Sequence, residues 1–331
     1  MSRSSGLRRA TAISMALLAA LVLVLALWGA KPAEAAFPGG DGSIAFVSTM
    51  GTSTGANDPA GDFEVFVGQT SLPFSLQQLT HNGAEDLGPA WSPNGDKIAF
   101  SSNRDGDHEI YTMDAGGSNL TPLTNNSIFD SSPSWSPDGK RIVFTRLEGG
   151  DFNLYLMNAD GSSDPRRITK NTAWDLAPAW SPDGKKIAFQ SLRIGGSPYE
   201  IFTMKPSPEG RRNRPVNITR HSTASDETPN WSPDSKQLAF TSCRGVVNAG
   251  GSNCEIYKVN VDGSNLTPLT RNSVIDFDPV WSPSGGRIVF TREPFTGNSE
   301  LYVINADGSG ESRITNNSPV VDQEPDWQPI N

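Results

Sequence analysis

A short hairpin marked by tryptophan recurs along most of the chain, and this repeat limits the possible folds more than any other feature. The string W-S-P-x-G, or a close or shortened form of it, begins at Trp91, Trp135, Trp180, Trp231, Trp281 and Trp327. Successive copies are separated by 44 to 51 residues. A period of about 40–50 residues is typical of β-propeller blades, which contain four strands each.

The remainder of each unit also repeats with the alternating apolar and polar residues of half-buried strands. In the five full copies a Phe follows the Trp by nine residues and ends a strand. A second strand of the type Glu-Ile-Tyr follows, and we predict that a third strand ends in Thr. Ser-Pro-Asp-Gly between the first two strands is favourable for a type I turn.

A further unit is divided between the two ends of the chain. Residues 42–46 read as a Phe-ended strand that lacks a preceding tryptophan, whereas the segment around Trp327 has no strand after it. We therefore predict an all-β, six-bladed β-propeller over residues 36–331, in which the C-terminal strand completes the first blade and closes the ring. Closure would remove exposed sheet edges.

The combined string D-x-x-P-x-W-S-P-D-G, I-A-F-x-S, E-I-Y-x-M, D-G and L-T resembles the propeller domain of TolB, over about residues 37–331. The resemblance implies an exported scaffold that binds a partner at one face. The first strand begins soon after the N-terminal apolar run, so the sequence predicts that the α/β domain of TolB is absent.

The first 35 residues have the pattern of a secretory signal peptide. Basic residues precede an apolar run from Ile13 to Trp28, and Ala33 and Ala35 are the small residues expected before cleavage. An uncleaved membrane anchor is the alternative. Without this segment the formal net charge falls from −9 to −12, which disfavours binding to nucleic acid or anionic lipid. We expect a secreted or periplasmic protein with no other membrane insertion.

Motifs for catalysis are lacking. The sequence contains no G-x-S-x-G and no H-E-x-x-H, and His81, His108 and His221 fall in different blades. We expect His81 and His221 to lie on surface loops. The acidic string "DGDHE" at Asp105 could bind calcium, but it also fits a hairpin turn.

Two cysteines flank the long second hairpin of the fifth blade. Cys243 follows one strand and Cys254 precedes the next, so the two cysteines should lie close together at the ends of paired strands. In an exported protein this arrangement predicts a disulfide. Free thiols are the alternative.

An Asp precedes each blade Trp by five residues, in loops of nearly constant length. These residues are Asp86, Asp130, Asp175, Asp226, Asp276 and Asp322. The constant spacing predicts an acidic ring at the mouth of the channel. This ring is a candidate calcium site. Five arginines could neutralise it: Arg104, Arg146, Arg193, Arg244 and Arg292. Blade one has no matching arginine.

Apolar residues stand next to three of the ring aspartates. Phe129, Trp174 and Ile275 could anchor a partner, or they could pack under the loops. We therefore predict a non-catalytic scaffold that binds a protein or peptide around the channel. The alternative is a calcium-dependent hydrolase or lyase acting on a sugar or lactone at the channel mouth.

Overall fold

The computed structural model describes residues 40–50, 61–69, 75–193, 198–208, 213–220, 223–244, 253–294, 297–317 and 319–330. The predicted signal segment and His221 lie outside these ranges. Within them, no helix is long and apolar enough to cross a membrane.

Six antiparallel four-stranded sheets form the blades of a β-propeller, as predicted. The innermost strands are β4 (Asp86–Trp91), β8 (Asp130–Trp135), β12 (Asp175–Trp180), β16 (Asp226–Trp231), β20 (Ile275–Trp281) and β24 (Asp322–Ile330). The second strands are β1 (Gly40–Ser48), β5 (Lys97–Ser102), β9 (Arg141–Glu148), β13 (Ile187–Ser191), β17 (Gln237–Ser242) and β21 (Arg287–Glu293). The third strands are β2 (Glu64–Gly68), β6 (Glu109–Asp114), β10 (Asp151–Asn158), β14 (Glu200–Met204), β18 (Glu255–Asn260) and β22 (Glu300–Asn305).

The outer strands are shorter than the sequence suggested. They are β3 (Leu76–Gln78), β7 (Thr121–Pro122), β11 (Arg166–Arg167), β15 (Val216–Asn217), β19 (Thr267–Pro268) and β23 (Ser312–Arg313). The prediction that each strand ends in Thr was therefore wrong, because the strand stops two residues earlier. The threonine hydroxyl instead accepts a hydrogen bond of 2.8–3.1 Å from a backbone N–H of the third strand. Where the sheet ends, a side-chain hydroxyl thus replaces a backbone carbonyl as the acceptor for a third-strand N–H.

The tryptophans pack blade against blade. Trp180 ends the innermost strand of blade four, and it lies in a buried cluster with Val143 and Leu154 of blade three and Phe189 of its own blade. The W-S-P-x-G corners form the predicted turns, in which the last residue of the string donates its N–H to the carbonyl of the serine at 2.8–2.9 Å. Most of the hydrophobic core therefore lies between neighbouring sheets.

Both ends of the described chain meet in blade one. Strand β24 pairs antiparallel with β1, from Gly40 opposite Ile330 to Ser48 opposite Asp322. Trp327 is 2% exposed and packs with Ile44 and Phe46 of the same blade and Val289 of blade six. This pairing confirms closure of the ring by the C-terminal strand.

Each innermost strand contains a β-bulge directly after the ring aspartate and the residue that follows it. The residue before the strand's proline has a positive φ of 49–61° in all six blades: Gly88, Ser132, Ala177, Thr228, Asp278 and Glu324. Proline has no N–H to offer the ladder, so the bulge falls where one hydrogen bond is already missing. It turns the start of the strand, which carries the aspartate, relative to the rest of the blade.

Candidate functional site

All six predicted ring aspartates lie at the start of the innermost strands, and their side chains are fully buried. Each of these strands contacts the corresponding strand of both neighbouring blades, so the six strands form a closed inner ring. The equivalent position in every blade places the aspartates on one face of the propeller. The loops between the second and third strands lie on the same face.

The five predicted Asp–Arg contacts are present, with nitrogen–oxygen distances of 2.6–2.9 Å. The pairs are Asp86–Arg104, Asp130–Arg146, Asp175–Arg193, Asp226–Arg244 and Asp276–Arg292. The arginine side chains are only 10–20% exposed. Each pair lies within one blade, at the ends of its two inner strands.

Two local arrangements give the same ion pair. Arg146 lies opposite Asp130 on the neighbouring strand, and its Nε and Nη2 atoms each donate to one carboxylate oxygen at 2.6 Å. Arg104 lies two residues beyond its strand, so its Nη2 reaches Asp86 while Nε donates to Ser102 at 2.8 Å. Both arrangements satisfy a buried carboxylate with charge-assisted hydrogen bonds.

Each of these guanidinium groups also covers two aromatic rings of its own blade. The distance from the guanidinium carbon to the ring centroids is 4.5–5.8 Å in all five blades. The aromatic pairs are Phe100–Tyr111, Phe144–Tyr155, Phe189–Phe202, Phe240–Tyr257 and Phe290–Tyr302. The cation–π contact and the ion pair together hold the arginine in one position.

Asparagine side chains connect several ring aspartates to the preceding blade. Asn82 donates its side-chain N–H to Asp86 at 2.7 Å and its backbone N–H to Glu64 of blade one at 2.6 Å. Asn126 joins Asp130 to Glu109 in the same way. These links were not predicted, although an Asn four residues before the Asp is visible in the sequence.

Two glutamates lie behind the ring. Burial, together with the charge of the neighbouring ring aspartate, raises the pKa of Glu64 to about 8 and that of Glu109 to about 7. These two carboxyls therefore hold their protons to a higher pH than an exposed glutamate does.

Blade one departs from the pattern. Asp322 accepts a hydrogen bond from Ser48 Oγ at 2.6 Å, and its Oδ2 atom accepts none from the described residues. Burial raises the pKa of the Asp322 carboxyl, and the side chains of Ser48, Thr315 and Asn317 beside it oppose that shift only in part. The ring thus consists of five ion pairs and one carboxylate without a guanidinium.

Two of the three predicted anchor residues belong to one aromatic row. Phe129 lies 5.0 Å from the ring of His108 and 6.2 Å from Phe152, and Phe152 lies 5.2 Å from Trp174. Phe129 and Trp174 are half-buried, while Phe152 is 7% exposed. Ile275, also half-buried, is at the equivalent position in blade six, two blades away from Trp174.

His81, His108 and the string at Asp105 belong to no group of side chains arranged to hold a metal ion within the part of the chain that the structure describes. His81 is exposed, as expected, and burial lowers the pKa of His108 to about 4. Gly106 N–H donates to the Asn103 carbonyl at 3.0 Å, so the string at Asp105 forms a hairpin turn. Across the described ranges, no group of three or more His, Cys, Asp or Glu residues is arranged to hold a metal ion.

One cavity adjoins the ring at blades five and six, because Tyr257 lies under Arg244 and Asn272 donates to Asp276. It measures about 460 Å³ and is lined by Glu255, Tyr257, Pro268, Thr270, Arg271 and Asn272 of blade five. None of the predicted site residues lines this cavity.

Cys243 and Cys254 form the predicted disulfide. It joins the two strands of the blade-five hairpin beside Arg244, and residues 245–252 between them lie outside the described ranges. Cys254 also contributes its backbone carbonyl, which accepts the N–H of Asp276 at 2.9 Å. The bridge therefore adjoins two of the ring aspartates, Asp226 and Asp276.

These features define a six-bladed propeller whose blades repeat one Asp–Arg–aromatic unit on one face. A sequence model of the TolB beta propeller domain matches residues 29–145 and 123–220, more than half of the chain. The chain belongs to the TolB β-propeller domain family.

Solved structures agree with this assignment. TolB from Acinetobacter baumannii is similar at 23% identity and a TM-score of 0.71, over 87% of this chain and 67% of that one. A protein named TolB from Agrobacterium tumefaciens is similar at 20% identity and a TM-score of 0.62, over 88% of this chain and 99% of that one. A puromycin-hydrolyzing peptidase of Mycobacterium tuberculosis is similar at 14% identity and a TM-score of 0.55, over 83% of this chain but 43% of that one. At these identities the likeness shows the fold alone.

Proposed function

We propose that this protein is an exported, non-catalytic scaffold that binds a protein or peptide through the face carrying the ring aspartates. The observation that supports the proposal most is the aromatic row Phe129–Phe152–Trp174. Half-buried aromatic side chains on a rigid frame bury large apolar areas on binding at a small cost in conformational entropy.

Two other features are consistent with this proposal. A disulfide is typical of proteins that work outside the cytoplasm, which fits a cleaved signal segment over residues 1–35 and a mature domain over 36–331. Among the known structures, the similarity to TolB extends over most of this chain, and propellers commonly serve as binding platforms. The ring aspartates are proposed here as supports of the binding face, while a direct role in calcium binding stays a prediction.

The test is capture of partners from the extracellular fraction of the native host with the mature protein as bait. Replacing Phe129 and Trp174 together by Ala should abolish capture of those partners that the wild-type protein retains. The matched control replaces Leu120 and Leu266 by Ala. These leucines are 43% and 40% exposed and lie by the turns of the opposite face.

Equal capture by both double variants would contradict binding at the aromatic row. The enzyme alternative is tested separately, by assaying the same preparation against sugar and lactone substrates with calcium and with EDTA. Turnover that EDTA abolishes would replace the scaffold proposal with the hydrolase or lyase.

A further inference from the structure

The corner of blade one has every element of the repeated unit except its cation. In the other five blades a guanidinium binds the ring aspartate and covers an aromatic pair. Blade one has the aspartate, Asp322, and the aromatic pair, Phe46 and Phe66, whose centroids are 6.0 Å apart. The corresponding distances in the other blades are 5.9–6.1 Å.

Met50 stands where the arginine would be. It follows Phe46 by four residues, as Arg104, Arg193 and Arg244 follow their phenylalanines. Its side chain packs on the cluster that contains Phe46 and Phe66, and it is half-buried. No residue from 32 to 96 is Lys or Arg, so blade one's first three strands cannot supply a cation from elsewhere in their sequence.

Two buried polar atoms at this corner have no hydrogen-bond partner among the described residues. They are Oδ2 of Asp322 and Oδ1 of Asn317. In blades two and six the equivalent asparagine donates to its ring aspartate at 2.7 and 2.6 Å. Asn317 directs its amide nitrogen to the sulfur of Met50, at 3.9 Å, and its side chain also lies close enough to Asp322 to lower the pKa of that carboxyl. Unpaired buried acceptors are unfavourable and favour a bound donor.

We propose that this corner, formed by Asp322, Asn317, Met50, Phe46 and Phe66, binds the guanidinium group of an arginine on the protein partner. The inference rests on the proposed scaffold function and specifies the chemistry of its partner. A guanidinium suits the corner better than an ammonium, because it can form a forked bond with a carboxylate and stack on aromatic rings at once. Methionine is flexible and weakly held, so its side chain can move aside when arginine enters.

The mature protein offers a direct probe of the corner by NMR. Methionine methyl groups labelled with carbon-13 report on Met50, and the buried residues Met113, Met157 and Met204 serve as internal references. Titration with N-acetyl-arginine amide should shift the Met50 signal saturably and leave the reference signals in place. N-acetyl-citrulline amide has the same shape without the charge and should have no effect.

The variant Asp322→Asn should weaken binding of the arginine probe about ten-fold or more, since charged hydrogen bonds are lost. The proposal would be overturned if the Met50 signal did not shift, or if citrulline shifted it as much as arginine does. It would also be overturned if arginine shifted the signal in Asp322→Asn at the same concentrations as in the wild type.

Met50→Arg separates this inference from the scaffold proposal. It supplies the sixth guanidinium from the chain itself and should block partner capture, while the matched variant Met50→Leu should capture as the wild type does. Unchanged capture by Met50→Arg would refute the arginine site and leave the scaffold standing. If no variant captures a partner, the scaffold proposal fails, and the titration still decides the arginine site.

Discussion

Asp130 and Asp322 occupy equivalent positions in two blades, yet only Asp130 is paired with a guanidinium. Replacing Asp130 by Asn would leave Arg146 charged, largely buried and without its carboxylate. Breaking one side of a buried ion pair costs about 3–5 kcal/mol. We expect Asp130→Asn to lower the free energy of unfolding by about that amount, measured by urea denaturation at pH 7.

Asp322→Asn is the matched control, and its effect on stability should depend on pH. Because burial raises the pKa of Asp322, the native state holds this proton more tightly than the unfolded state does. The contribution of Asp322 to the free energy of unfolding is therefore greatest at pH values below the ordinary pKa of Asp, and it is lost as the pH rises through the raised pKa of Asp322. At pH 7 the variant should be as stable as the wild type or more stable. Equal losses in Asp130→Asn and Asp322→Asn would contradict the difference between the two blades.

At the scale of single elements, the hairpin of blade five is fixed by its disulfide. Cys243 and Cys254 are 11 residues apart, and closing a loop of this size stabilises a fold by about 3 kcal/mol in the chain-entropy account. Replacing both cysteines by Ser should lower the free energy of unfolding by about that amount. Reduction of the wild-type protein by dithiothreitol should have the same effect, and it should have none on the double variant.

If the double variant and the oxidised wild type unfold at the same urea concentration, the bridge contributes nothing to stability. Thiol labelling of denatured, unreduced wild-type protein gives an independent check. No label should be incorporated before reduction.

The sequence predicted those elements whose spacing is constant. The strand order, the closing strand and the five Asp–Arg pairs depend on constant or nearly constant intervals from Trp or Phe, and the disulfide depends on two cysteines that flank one hairpin. The bulge was not predictable, because five of the six residues with positive φ are not glycine. Phe152 was missed because it belongs to a hairpin between second and third strands of eight residues each, longer than the repeat predicts.

At the scale of the whole molecule, ring closure depends on one strand. Trp327 contributes to the cluster between blades six and one, as Trp180 does between blades three and four. Replacing either tryptophan by Ala should cost about 3–5 kcal/mol. Deleting residues 322–331 should cost more than Trp327→Ala, because it also exposes the inner edge of β1.

Thermal unfolding followed by tryptophan fluorescence and circular dichroism would measure both effects. Trp180→Ala serves as the control for loss of a buried indole away from the closure. A truncated protein that melts at the temperature of the full chain would contradict closure by the C-terminal strand.

The pairing of Gly40 with Ile330 also sets the order of events when the chain is made. Five blades are continuous in sequence and can form as their residues emerge, but blade one must wait with three strands until the last nine-residue strand arrives. A chain that emerges amino end first from the ribosome or a translocation channel thus stays an open ring until residues 322–330 have emerged. The complete inner ring, with the corner at Asp322, forms only after the other five blades have been made.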